Sequence, residues 1–111
     1  MTDTLGICVA TKGRMDHVLG LTKAARAAGK EVKIFFTGEG VHLTKDPRFP
    51  ELIAVAKSGS SAHAQVTVCE VSYMAAGLTA GKVTSGLSDK EFVTQGQNAE
   101  MVEDCQRYVV L

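Results

Sequence analysis

The chain has no tryptophan, only two prolines, three cysteines and few aromatic residues of any kind. Each scarcity excludes something. Cys8, Cys69 and Cys105 are widely spaced, with no CxxC pair and no histidine at metal-site spacing, so neither a disulfide scaffold nor a structural zinc is expected. Net charge is absent as well: twelve Lys and Arg balance twelve Asp and Glu. That balance gives no global reason to expect nucleic acid or an anionic membrane as partner. No apolar run approaches the length of a membrane span, and the first one ends by Ala10. The start, Met1-Thr2-Asp3-Thr4, has no basic run, so no targeting segment is expected. An odd cysteine count then points to free thiols in a reducing, cytoplasmic compartment. Neither GxGxxG nor GxxxxGK[ST] occurs, which removes the usual nucleotide-binding signals. What remains is a neutral chain of 111 residues with an ordinary apolar share, 45%. It is expected to form one domain over residues 1–111 with a radius of gyration of roughly 13 Å.

The apolar patterning supplies the elements. Leu5 to Ala10 is a short apolar run closed by Thr11-Lys12-Gly13 and reads as a buried first strand. From Arg14 to Ala28 the spacing turns helical. Met15, Val18, Leu19, Thr22, Ala25 and Ala28 share one stripe, Lys23 and Arg26 face away, and Gly29 follows as a C′ residue. Glu31 to Thr37 is β-branched and aromatic and stops at Gly38-Glu39-Gly40. This is the spacing of a parallel β-α-β unit. A short helix begins at Val41 to Leu43, Asp46-Pro47 breaks it, and helical spacing resumes from Pro50 to Ala56. Lys57 to Ser61 is a loop, Ala64 to Cys69 a third strand, and Ser72 to Ala76 a short helix capped by Gly77. Further on, a brief strand is expected at Val83-Thr84. A helix is expected from the capping-box spacing of Ser88 and Glu91, a second helical piece over Asn98 to Cys105, and a last strand from Arg107 to Leu111. The sum is an α/β fold: a three-layer sandwich with a mainly parallel sheet of about five strands. Such sheets place reactive groups outside the carboxyl ends of their strands.

Cys69 is the sharpest candidate for chemistry, because it ends a strand immediately before a helix start. Backbone N–H groups there favour an anion, which draws a thiol towards its thiolate. Neighbouring Glu70 opposes this if its carboxylate turns to the sulfur. A cysteine in the same place also serves as simple core packing, and the residues alone leave both readings open. Cys8 lies within the first strand and reads as packing. Cys105 lies near a helix end, where the dipole disfavours a thiolate, so a resolving role is not expected. Thr11, Lys12 and Arg14 belong to the rim of the first strand. They would make a pocket mildly cationic or simply be solvated. Gly38, Glu39 and Gly40 end the second strand on the same rim, as a tight turn in the plainer reading and a phosphate cradle in the other. His42 and His63 could approach Cys69 in space, whereas His17 reads as a solvated or partly packed helix residue. Phe35, Phe36 and Phe49 read as core.

The order of these segments resembles a known family. Gly29-Lys30-Glu31-Val32-Lys33-Ile34-Phe35-Phe36-Thr37, followed by Gly40, is similar to the second-strand region of DsrE-like proteins. Val66-Thr67-Val68-Cys69-Glu70-Val71-Ser72-Tyr73-Met74, ending in Gly77-Leu78, resembles their central cysteine segment, closest to the DsrE2-like branch. The resemblance covers essentially the whole chain. It implies a single DsrE-like domain, assembly into a homo-oligomer such as a trimer or hexamer, and a sulfur carrier or sulfurtransferase-like role. In that role Cys69 takes sulfur as a persulfide from a protein donor and yields it to a protein acceptor. Thr11, Lys12, Gly38, Glu39, Gly40, His42 and Glu70 are the candidate pocket. No metal or organic cofactor is implied. The alternative is a non-catalytic oligomeric binding protein of the same fold, with Cys69 as core.

Overall fold

The computed structural model describes residues 3–58, 65–78, 87 and 89–111. The chain runs β1 (Thr4–Val9), α1 (Met15–Ala27), β2 (Glu31–Phe36), a 3₁₀ segment (Gly38–Lys45) and α2 (Phe49–Lys57). It continues with β3 (Gln65–Cys69), α3 (Glu70–Ala75), a 3₁₀ turn (Asp89–Glu91), β4 (Phe92–Val93), α4 (Gln95–Asp104) and β5 (Arg107–Val110). The five strands form one sheet in the order β4-β3-β2-β1-β5, and every pair is parallel. This is the expected α/β architecture, and its radius of gyration is 12.6 Å.

The sheet has two unequal faces because successive side chains alternate across a strand. Ile7, Val9, Ile34, Phe36, Val66 and Val68 point to the face covered by α1 and α2. There they meet Met15, Val18, Leu19, Phe49, Leu52 and Tyr73 in the main core. The other face carries Cys8, Phe35 and Cys69; among the described residues Met101 of α4 covers them, with Val93, Cys105 and Tyr108 packed at the edge. Burial on both faces explains why β1 reads as a nearly unbroken apolar run.

The α1 stripe is buried at Met15, Val18, Leu19, Thr22 and Ala25. The Thr22 hydroxyl is satisfied within the helix by donating to the Val18 carbonyl at 2.7 Å. Two expectations for this helix change. Ala28 is exposed as the C-cap residue. Arg26 does not face away: its guanidinium folds back to pair with Glu31 at 3.6 Å and to donate to the Lys30 carbonyl at 2.8 Å.

Later in the chain the changes are larger. No helix begins at the capping-box spacing; Asp89–Glu91 is a single 3₁₀ turn that leads into the two-residue edge strand β4. Among the described residues the fourth strand is Phe92-Val93. The strand expected at Val83-Thr84 lies outside the described residues, as do Ser88 and His63. Helix α4 starts at Gln95, three residues before the expected Asn98, and Thr94 caps it by accepting from the Gly96 N–H at 3.2 Å.

The turn after β2 is held by packing. A Cβ on Gly40 would lie 2.0 Å from the Val9 carbonyl oxygen, so no other residue fits where this turn crosses the end of β1. Gly38 adopts φ +53, the left-handed region open to glycine.

Candidate functional site

Three strand ends meet at one point of the carboxyl rim. β2 leaves the sheet at Thr37, β3 at Cys69 and β4 at Thr94. Parallel pairing of Cys69 with Val93 sets Gln95 two residues beyond that partner. Helix α3 begins directly after Cys69, which is its N-cap residue, so Ser72 returns over the sulfur one turn later.

Cys69 is 3% exposed, yet polar groups surround its sulfur. The Ser72 hydroxyl accepts from the Gly38 N–H at 3.0 Å and lies 3.3 Å from the Thr37 hydroxyl. The Thr37 hydroxyl accepts from the Gln95 amide at 2.8 Å, and that same nitrogen stands 3.8 Å from Cys69 Sγ. Each hydroxyl oxygen accepts from an N–H group, and both hydroxyls act on the sulfur, Ser72 more strongly than Thr37.

The consequence is electrostatic. Burial by itself pushes the Cys69 thiol up, since an apolar surrounding disfavours the thiolate. Hydrogen bonding from Ser72, with further help from the Thr37 hydroxyl and the Val71 N–H, outweighs it, and the thiol sits below its ordinary value. No conventional cap hydrogen bond to the Cys69 side chain closes at the start of α3. The Val71 and Ser72 amides act there as oriented dipoles beside the two hydroxyls.

Of the other expected residues, Gly38 holds Ser72 through its N–H, and the rest fall nearby without being among the groups that shift the Cys69 thiol. Lys12 pairs with Glu39 at 3.7 Å, both side chains well exposed. Thr11 accepts from Arg14 Nε at 3.2 Å on the surface. Glu70 is exposed, and neither its carboxylate nor the charges of Lys12 and Glu39 are among the groups that tune Cys69. His42 is exposed between two shallow clefts. One, of about 290 Å³, is bordered by Lys12, Lys45 and Arg48. The other, of about 360 Å³, runs from Gly38 and Glu39 to Ser72, Ala75 and Ala76. His17 is exposed, as read from the sequence. The Gly38 and Gly40 N–H groups are both engaged, the first by Ser72 and the second by the Thr37 carbonyl at 2.9 Å, which leaves the turn no phosphate cradle.

The remaining cysteines occupy the same sheet face. Cys8 is buried, and burial raises its thiol; contact with the Tyr108 hydroxyl only partly offsets this. Cys105 is half-buried and likewise raised, mainly by burial. Its sulfur lies over Gly6 of β1, where a Cβ would approach it to 3.0 Å. β2 lies between β1 and β3, and Gly6 is level through Lys33 with Gln65, four residues before Cys69, so Cys105 is outside disulfide reach of Cys69. Among the described residues no His, Cys, Asp or Glu cluster is able to hold a metal ion. No helix among them is long and apolar enough to cross a membrane.

Sequence reasoning placed Cys69 but gave no role to Thr37, Ser72 or Gln95. Ser72 had a signal, three residues into the helix after Cys69. Gln95 had none, because it reaches the site only through the pairing of β3 with β4.

Fold and site together define a class: a small α/β protein whose all-parallel sheet carries a hydrogen-bonded cysteine at the carboxyl end of an inner strand. The chain belongs to the DsrE/DsrF-like family, whose sequence model matches residues 5–111. That family is associated with sulfur relay. No curated protein matches the chain.

Proposed function

We propose that this protein is a sulfur carrier that accepts and passes on sulfur as a persulfide of Cys69. The observation that carries this reading is the convergence of Ser72, Thr37 and Gln95 on one buried sulfur at the strand-end rim. A core cysteine needs no donors, whereas a sulfur that must hold negative charge does. The Cys69 thiolate attacks the outer sulfur of a donor persulfide, R–S–SH. The S–S bond of the donor breaks, R–S⁻ leaves, and Cys69–S–SH forms. An acceptor thiolate then attacks the outer sulfur of Cys69–S–SH and releases the Cys69 thiolate. Each step exchanges one S–S bond for another, so no outside oxidant or reductant is consumed.

Protein donors and acceptors suit the surroundings. The cleft that ends at Ser72 is floored by Ala75 and Ala76, and α3 exposes Val71 and Met74 beside it. On the α4 face, exposed Val102 and Val110 offer apolar surface for a further copy of the chain, in line with a trimer or hexamer. Three free thiols suit a reducing cytoplasm. The run from Cys69 through Ser72 and Met74 to Gly77 supports a place near the DsrE2-like branch.

The test is intact-mass measurement after incubation with a persulfide donor. The protein should gain the mass of one sulfur atom, and Cys69→Ser should abolish the gain while keeping the fold and assembly. Loading that survives the substitution overturns the assignment. The near-complete burial of Cys69 favours the second reading, a non-catalytic binding protein of the same fold. Thiol labelling of the native protein separates the two: Cys69 that labels only after unfolding supports the binding protein.

A further inference from the structure

We infer that the Gln95 side chain is a gate over Cys69, closed in this structure and opened by rotation of that single side chain. The inference rests on the reading of Cys69 as the sulfur carrier and says how a buried sulfur meets its partners.

The covers of Cys69 differ in how easily they move. Phe35 and Met101 are fully buried beside it, and displacing either opens the core. Thr37 and Ser72 are fixed at the rim, with Ser72 bound to the Gly38 N–H and in contact with Thr37. Gln95 differs from all of these. It is an exposed residue at the first position of α4, yet its amide crosses the rim to within 3.8 Å of the sulfur. Two contacts hold it there: donation to Thr37 Oγ1 at 2.8 Å, and acceptance by Oε1 from Asn98 Nδ2 at 3.4 Å. Both lie on the exposed side, so water replaces them when the side chain swings outward. Rotamer changes of exposed side chains take picoseconds to nanoseconds, far faster than sulfur transfer between proteins.

The chemistry of the gate also fits. An uncharged amide donor tolerates a thiolate, and the groups acting on Cys69 are all uncharged hydroxyl and N–H groups. Once Gln95 has swung out, its vacated volume takes the outer sulfur of Cys69–S–SH. The Ser72 and Thr37 protons remain to stabilise the charge.

The experiment measures alkylation of Cys69 against pH, followed on the Cys69-containing peptide by mass spectrometry so that Cys8 and Cys105 do not contribute. Iodoacetamide serves as the small reagent and a bulky maleimide as the large one. Gln95→Ala should raise the alkaline plateau rate, about tenfold for iodoacetamide and more for the maleimide. Gln95→Asn, one methylene shorter, should follow it. Gln95→Glu keeps the cover but sets a carboxylate against the thiolate, so its midpoint should move to higher pH with the plateau little changed. Plateau rates for Gln95→Ala equal to those of the unsubstituted protein with both reagents would overturn the gate. These rates require only that Cys69 be present. Failure of sulfur loading overturns the carrier reading and leaves the gate measurement standing.

Discussion

Cys8 and Cys69 make an instructive pair. Both lie on the α4 face of the sheet, in one cluster with Phe35 and Met101, and both are almost wholly covered. Their thiols nevertheless shift in opposite directions, Cys8 up and Cys69 down. Cys8 belongs to an inner strand paired on both sides, and Tyr108 is the one polar side chain that tunes it. Cys69 stands where the chain leaves the sheet, and the loops that follow β2 and β4 and the first turn of α3 all bring donors to it. Both sulfurs are screened from solvent, and Cys8 lies deeper; the donors gathered at the end of a strand are what turn the Cys69 shift downward.

That contrast can be broken outright. Cys69→Ser removes all sulfur loading, whereas Cys8→Ala should leave loading within about twofold, because Cys8 contributes packing and no donor. Met101→Ala attacks the shared cover instead. It is the buried residue of α4 above both sulfurs, and its loss should destabilise the fold by about 2–4 kcal/mol in a denaturant titration. Both cysteines should then label faster in the native protein, with the order of their pH midpoints unchanged.

Smaller substitutions sharpen it. A hydrogen bond to a charged group is worth about 1.5–3 kcal/mol, so Ser72→Ala should lower the thiolate population of Cys69 about tenfold or more at neutral pH. Thr37→Val should act in the same direction and less strongly. The labelling rate of Cys69 at pH 7 reports both, and that of Cys8 should not follow. The smallest effect is on stability against pH. A thiol raised by folding contributes stability below its unfolded value, and this is lost as pH climbs towards the folded one. Cys8 therefore weakens the fold as pH rises above 9.0, and Cys8→Ala should flatten that decline in urea melts. Cys69 has the reverse sign: its contribution is complete above 9.0 and fades as pH falls through its lowered folded value.

The parts of the molecule that were readable in the sequence are those with local causes. β1, β2 and β3 are apolar because both their faces are buried, and α1 shows its stripe because one side meets the sheet. β4 left no such trace: two residues at a sheet edge are too few for any period. The polar Gln95-Gly96-Gln97 start of α4 gave no apolar spacing, which delayed the expected helix to Asn98. The site divides in the same way. Cys69 was legible as a strand end, and Ser72 by its spacing from it. Gln95 was not, because the pairing of Cys69 with Val93 joins residues from separate parts of the chain.

One consequence follows from the polar contacts along α4. Gln95 accepts from Asn98, Asn98 accepts from the Tyr108 hydroxyl at 2.5 Å, and that hydroxyl also touches Cys8. Burial, reinforced by Cys8, pushes the Tyr108 phenol up to about 12. The chain has no tryptophan to mask tyrosine emission, and its second tyrosine, Tyr73, is sealed in the main core. Tyr108 is thereby wired to the side chain that covers Cys69. If Gln95 gates Cys69 as proposed, its outward swing should loosen Asn98 and shift the Tyr108 ultraviolet spectrum, an optical signal that needs no attached dye.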